Sequence, residues 1–513
     1  MTPGPNDKDV AQQDTQARTA AAGVADGPGA VPVAAPATAD VTVAAPGAIP
    51  PTNVAAAVSG AGHVEAKGDP AKGILAAKPS DAGVAPPTSA DDTPEHARTL
   101  AHYSAQDQRL VAAVRGIRLL EAVSWPMQAQ SDFLEAWHRG NPTMPVIRYA
   151  PQDYDPVRAE LDAVDAELDP THPVGRYLHL TCRSWRTATL LLEAAGTPAV
   201  TDYSISLFGR PASPLPGEGS PTNLEAARHF IDFADELDQE LRGYEPAYVL
   251  SAERVREELQ EQIDTFFGVG TISVELDPNL IAKAAASSTR IRLRTNTGFT
   301  EYDRNQLLMH EAFVHTLTGL NGREQPVLGS LARGSPRTTA TQEGLATLSE
   351  MMSGAMDIER MKRISLRIVA IDMALAGADF IDVFRFFLDS GQSETDSFTS
   401  AQRVFRGVPT SGGAAFTKDT VYLHGLLSVH TFFRWCLRNR KLGLARQLFA
   451  GKMALEDVFE FESSHDSGLV AAPRFLPPWI QRANGLAGML AFSLFVNKIR
   501  LDHIDADDLV LGL

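Results

Sequence analysis

Hydrophobic positions show no period over the first ninety or so residues, and then fall into helical spacing. In "DQRLVAAVRGIRLLEAV" Leu110, Val114 and Ile117 recur at four- and three-residue steps, and a second run, "SWPMQAQSDFLEAWHRG", closes on a glycine. Three more runs predict helices: "DPVRAELDAVDAEL", "SWRTATLLLEAAG" and "NLEAARHFIDFADELDQEL". Between the last two, "YSISLFGRPASPLPGEGSP" predicts a short strand and a Gly/Pro loop. The period then changes. "ISVEL" alternates, "LIAKAAA" predicts a short helix, and "TRIRLRT" alternates strictly, with Ile291 and Leu293 on one face and Arg290, Arg292 and Arg294 on the other. Runs rich in Leu, Met and Ile follow and predict helices over about 342–376, 378–390 and 419–450. No internal repeat is present. The pattern is that of an α+β protein, mostly helical with a small β-sheet: a helical part over 93–270 and a core with C-terminal helices over 271–513.

Composition sets the unpatterned start apart. Residues 1–92 are rich in Ala, Pro, Gly, Thr and Asp, and the first aromatic residue is Tyr103. Such a segment cannot bury enough apolar area to offset an ordering cost of roughly 1–2 kcal/mol per residue. A disordered, solvated tail is expected there. The whole chain of 513 residues carries a net charge of −17, which argues against nucleic acid or an anionic membrane surface as partner. Its two cysteines, Cys182 and Cys436, make no disulfide framework and suit a reducing, cytoplasmic setting. "MTPGPNDKDVAQQ" has no basic and apolar leader pattern, and "LAGMLAFSLFV" is broken by glycine and well short of the roughly 20 residues of a membrane span, so no membrane association is expected. Nothing in the pattern indicates an oligomeric state.

Candidate chemistry concentrates in "HEAFVHTLTGLNG", residues 310–322. Two imidazoles and a carboxylate within six positions suit a zinc hydrolase, which needs such ligands, an open position for water, and a carboxylate to take that water's proton. The alternative is a pair of packed histidines on an apolar helix. The gap from His310 to His315 is five, and on a regular helix residues five apart point roughly 140° away from each other. A π-type turn, which absorbs one extra residue, would return both rings to one face. A further ligand is expected from the next helix, where "TTATQEGLATLSEMM" offers Glu343 in the first turn and Glu350 two turns later. Glu343 is preferred as ligand and Glu350 as the hydrogen-bond partner of a ligand histidine, although spacing by itself does not separate the two.

"HEAFVHTLTGLNGREQPVL" followed by "TQEGLATLSE" resembles the QEGLA-motif family, whose animal relatives are the microtubule-associated tyrosine carboxypeptidases. The family pattern is His-Glu-x-x-x-His, an Asn-Gly and Gln-Pro segment, then Gln-Glu-Gly-Leu-Ala; here these are His310, Glu311, His315, Asn321, Gly322, Gln325, Pro326 and residues 342–346. The resemblance covers about 96–505. It implies a gluzincin-like zinc-peptidase fold with one Zn2+ per chain, His310, His315 and Glu343 as metal ligands, and Glu311 as the base. One departure is that the family carries glycine two positions before the second histidine, where this chain has Phe313. Packing must then hold the wider turn.

"AQRVFRGVPTSGGAAFTKDTVYLHGLL" also resembles the family, through its Arg-Gly step and its Lys-Asp-x-x-Tyr-Leu-x-Gly pattern. Tyr422 is the candidate to stabilise the oxyanion. Arg403, Arg406 and Lys418 are candidates to hold a substrate's free carboxylate, with ordinary ion pairing as the alternative. The strand "TRIRLR" is a candidate edge for an added peptide strand, or simply a solvated face. His424 and His430 read as packed residues. Metal-assisted hydrolysis is what the spacing supports, and removal of a C-terminal residue, an aromatic one by preference, from a peptide or protein is what the resemblance implies. Endopeptidase action and a catalytically silent zinc-binding scaffold remain as the other readings.

Overall fold

The computed structural model describes residues 93–241, 249–278, 280, 282–462 and 468–498, all within one compact unit spanning 68–513. The tail expected over residues 1–92 lies outside the described residues. Helices dominate. The first, Pro94–Val114, begins where the Thr93 side chain accepts from the His96 N–H and Pro94 occupies a first-turn position that needs no amide donor. It packs against Asp155–Asp165 and Pro173–Glu193, while Asn223–Leu241 lies along Ile358–Leu375, so the front helices form the walls of the later ones.

Two short stretches differ from the pattern. "YSISLF" lies in a helix, Val200–Phe208, rather than a strand, because Val200, Ser204 and Phe208 share one buried face at four-residue steps. Ser204 fixes that helix by accepting from the Thr417 N–H at 2.7 Å. The "AKAAA" end of the expected short helix is instead β2, Ala284–Ala286, pairing antiparallel to β3. Alanine favours helices, but tertiary pairing overrides so weak a preference over three residues.

The sheet runs β1 (Ser273–Asp277), β3 (Arg290–Arg294), β2, with β3 in the middle and parallel to β1. This corrects the reading of "TRIRLR" as an edge open to an added strand, since both of its sides are already paired. Arg290 and Arg292 face Glu275 and Asp277 on β1. Ile291 and Leu293 point into the core.

The helices read as single long runs are broken. The first splits into Thr339–Met352 and Ile358–Leu375, with Gly354 at φ 72° in the break and Asp357 capping the second piece. The last splits into Val421–Arg438 and Leu442–Gln447. The core is strongly aromatic. Phe133, Phe380, Phe384 and Phe398 meet edge-on on one side, and Phe266, Phe267, Phe313 and Phe475 pack together beneath the sheet. Among the described residues no helix is long and apolar enough to cross a membrane.

Candidate metal centre

The quoted histidines lie on a continuous rod that changes type. Glu301–Leu307 starts with a capping box between Thr300 and Asp303, passes into a π-helix over Leu308–Thr316, and returns to an α-helix over Leu317–Arg323. The Leu317 N–H reaches the Ala312 carbonyl five residues back, which is the wide turn that the histidine gap predicts. Phe313, where the family pattern has glycine, is fully buried, with its ring 4.7 Å from that of Phe266. Packing thus holds the turn. The His310 and His315 rings come to a 4.7 Å centroid distance.

Glu343 arrives from the Thr339–Met352 helix, and two glycines decide how. A Cβ on Gly344 would lie 2.2 Å from the Gly425 carbonyl carbon, and one on Gly425 would lie 2.2 Å from the Ala340 carbonyl oxygen. The two helices therefore cross with backbones touching, which only glycine permits. This crossing sets Glu343 against both histidines and beside Lys418. Other motif residues hold backbone: Asn321 donates to the carbonyls of Phe449 and Phe475, and Gln325 to that of Ala450.

At the centre, Glu343 Oε2 lies 3.4 Å from His310 Nε2 and 3.7 Å from His315 Nε2. Ligand atoms of a tetrahedral zinc at about 2.0–2.1 Å would be about 3.3 Å apart, so the spacing fits. Oε2 is also buried without a hydrogen-bond partner, an expensive condition unless a cation meets it. Its other oxygen accepts from Lys418 Nζ at 2.8 Å. Burial alone would raise the Glu343 pKa, but the Lys418 ammonium and the two imidazoles hold the carboxyl well below the usual range, which keeps it an anion.

Glu350, fully buried, stands behind the first histidine. His310 Nδ1 donates to its Oε1 at 2.6 Å, which leaves Nε2 directed at Glu343. Gln306 donates to the same carboxylate at 3.0 Å, and Arg360 contacts both oxygens at 3.2 Å. Against burial, Arg360 and His310 hold the Glu350 pKa near 2. Burial also disfavours the protonated His310 ring, yet Glu343 and Glu350 outweigh it and raise the ring to about 10.

Glu311 lines a cavity of about 610 Å3 together with His310 and Tyr422. The Tyr422 hydroxyl accepts from Lys418 Nζ at 3.1 Å, so one ammonium joins Glu343 to Tyr422. Arg403 lines the same cavity, but its guanidinium is paired with Asp419 at 2.6 and 2.8 Å. Arg406 is buried, its Nε has no hydrogen-bond partner, and burial pushes its pKa down to about 10. Of the expected carboxylate holders, two are thus matched within the protein. His424 and His430 lie apart from the cluster, and burial lowers both. Arg360 is the residue that pattern reading missed, for it belongs to no motif. Gln306 was visible in principle, four positions before His310 on the same rod.

A profile of the microtubule-associated tyrosine carboxypeptidase family matches residues 131–498. No curated protein matches the chain. Among solved structures, Trypanosoma cruzi metallocarboxypeptidase 1 aligns over 79% of this chain and 98% of its own at 12% sequence identity, with a TM-score of 0.37, a loose likeness. The profile spans more than half of the chain, and the protein accordingly belongs to the microtubule-associated tyrosine carboxypeptidase family and is a carboxypeptidase-type hydrolase.

Proposed function

We propose that this protein is a zinc-dependent carboxypeptidase that removes a C-terminal residue, an aromatic one by preference, from a peptide or protein. The observation that carries this reading is the convergence of His310 Nε2, His315 Nε2 and the unpartnered Glu343 Oε2 beside Glu311. His310, His315 and Glu343 hold the ion, and two nitrogens with one carboxylate oxygen suit zinc. Zinc held there would supply Lewis-acid chemistry to the scissile carbonyl and the attacking water. Glu311 would take a proton from the attacking water and pass it to the leaving amine. Tyr422, steadied by Lys418, donates to the developing oxyanion. Glu350 keeps the His310 ring in one tautomer and orientation. The setting we propose is cytoplasmic, which suits two buried free thiols.

The test is hydrolysis of a peptide with a free aromatic C-terminus. Chelation should abolish it and added zinc restore it. Glu311→Gln should lower kcat by about 10²–10⁴-fold with zinc retained. Undiminished hydrolysis by that variant would contradict the assignment of the base. Equal cleavage of the free acid and the C-terminal amide would remove exopeptidase action.

A further inference from the structure

The three converging atoms stand between two cavities of unlike chemistry. The larger, which holds His310 and Glu311, is lined by many charged side chains, among them Arg360, Arg363 and Arg367. The other, of about 520 Å3, holds His315 and Glu343 and has an apolar wall of Ile117, Leu119, Trp185 and Phe208. Four cations line this second cavity: Arg118, Arg333, Lys418 and Lys452.

One of them is ion-paired and two are hydrogen-bonded to backbone. Arg118 and Arg333 each donate at 2.9 Å to the Arg115 carbonyl, just past the end of the first helix. Lys418 serves Glu343 and Tyr422. Among the described residues, the Lys452 ammonium makes no hydrogen bond or ion pair. Its stem is nevertheless held. A Cβ built on Gly319 would be 3.6 Å from Lys452 Cε, and one on Gly334 would be 3.6 Å from its Cδ. Its backbone N–H is tied to the Leu331 carbonyl at 2.7 Å. Burial lowers the affinity of this ammonium for its proton, opposed by Glu311 and Glu343, so its desolvation is already partly met.

We propose that the second cavity receives the C-terminal residue of the substrate, with Lys452 pairing its α-carboxylate and the apolar wall taking its side chain. The assignment rests on the peptidase reading above. A carboxylate entering this cavity needs a cation with donors to spare. Arg118 and Arg333 turn part of their forks to backbone carbonyls, whereas Lys452 makes no hydrogen bond or ion pair among the described residues and shares the cavity with His315 and Glu343. The chain upstream of the scissile bond then lies in the charged cavity on the other side of the metal ligands.

The test uses the full-length, zinc-loaded protein as wild type, Lys452→Met and Lys452→Arg. Calorimetry with L-phenylalanine and L-phenylalaninamide, neither of which carries the acyl bond on its nitrogen that the enzyme would cut, reads binding without turnover, and zinc content is read in parallel. The wild type should bind the acid and discriminate against the amide. Lys452→Met should lose roughly ten-fold or more in affinity for the acid, raise KM more than it lowers kcat, and keep its zinc, with Lys452→Arg recovering part of the loss. Wild-type affinity for the acid in Lys452→Met overturns the assignment, even if the protein hydrolyses peptides. Lysine-dependent binding without any hydrolysis would instead uphold the cavity and refute the peptidase reading. Should Lys452→Met not fold, the wild type decides: equal binding of acid and amide overturns the proposal.

Discussion

At the scale of single residues, the site depends on how firmly one imidazole is aimed. His310 can present Nε2 to a metal because Nδ1 is spent on Glu350, and Glu350 in turn is held by Gln306 and Arg360. Removing the guanidinium leaves a buried carboxylate poorly matched and lets the ring turn. Arg360→Met should therefore lower zinc affinity about 10–100-fold, read by competition with a chelator, while the helix content is kept. Unchanged affinity would mean that Glu350 needs no support. The histidines and both glutamates could be singled out in the sequence, the histidines by their gap and the two glutamates as the carboxylates of the next helix. Only the family resemblance, not the spacing, preferred Glu343 over Glu350 as ligand. Arg360 and Lys452 could not be singled out, since their partners come from distant segments and no local spacing announces them.

At the scale of elements, two local irregularities carry the geometry. A five-residue gap between ligands is workable only on a π-turn, and Phe313 secures that turn against Phe266 and Phe267. Phe313→Ala should cost about 3–5 kcal/mol of stability, measured by urea unfolding, with weaker zinc retention in the folded fraction. A loss below about 1 kcal/mol would show that the turn does not need this packing. The second irregularity is the glycine crossing. Gly344→Ala should destabilise by roughly 1–3 kcal/mol or more and loosen zinc by moving Glu343 off its neighbours, whereas Ala346→Gly on the same helix should leave zinc affinity near the wild-type value. The wide turn could be read from the gap alone. The Val200–Phe208 helix and strand β2 could not, because in short apolar or alanine-rich stretches tertiary packing decides between two compatible periods.

At the scale of the whole molecule, the front helices are tied to the catalytic part by buried polar contacts, and one of them titrates. Asp107 on the first helix accepts from the Ser330 N–H, and burial raises its carboxyl to about 6 against these hydrogen bonds. A carboxyl raised in the folded state keeps its proton there while the unfolded chain releases it, so between about 4 and 6 stability falls as pH rises. Above that window the cost is at most about 3 kcal/mol. Asp107→Asn removes this term, so the gap in Tm between variant and wild type should shift in the variant's favour from pH 4 to pH 7.5. A gap independent of pH would contradict the account. The division into a helical front, a small sheet and later helices was legible from period and composition, whereas the packing of front helices onto the later ones was not, since it is made by residues more than a hundred positions apart. All of these contacts converge on the claim that His310, His315 and Glu343 hold a zinc ion. Elemental mass spectrometry on purified wild type and His310→Ala tests it most directly. The account predicts about one zinc per chain in the wild type, as a three-ligand catalytic site requires, and its loss in the variant. A wild-type protein that retains no metal after zinc is added and the excess removed would contradict it.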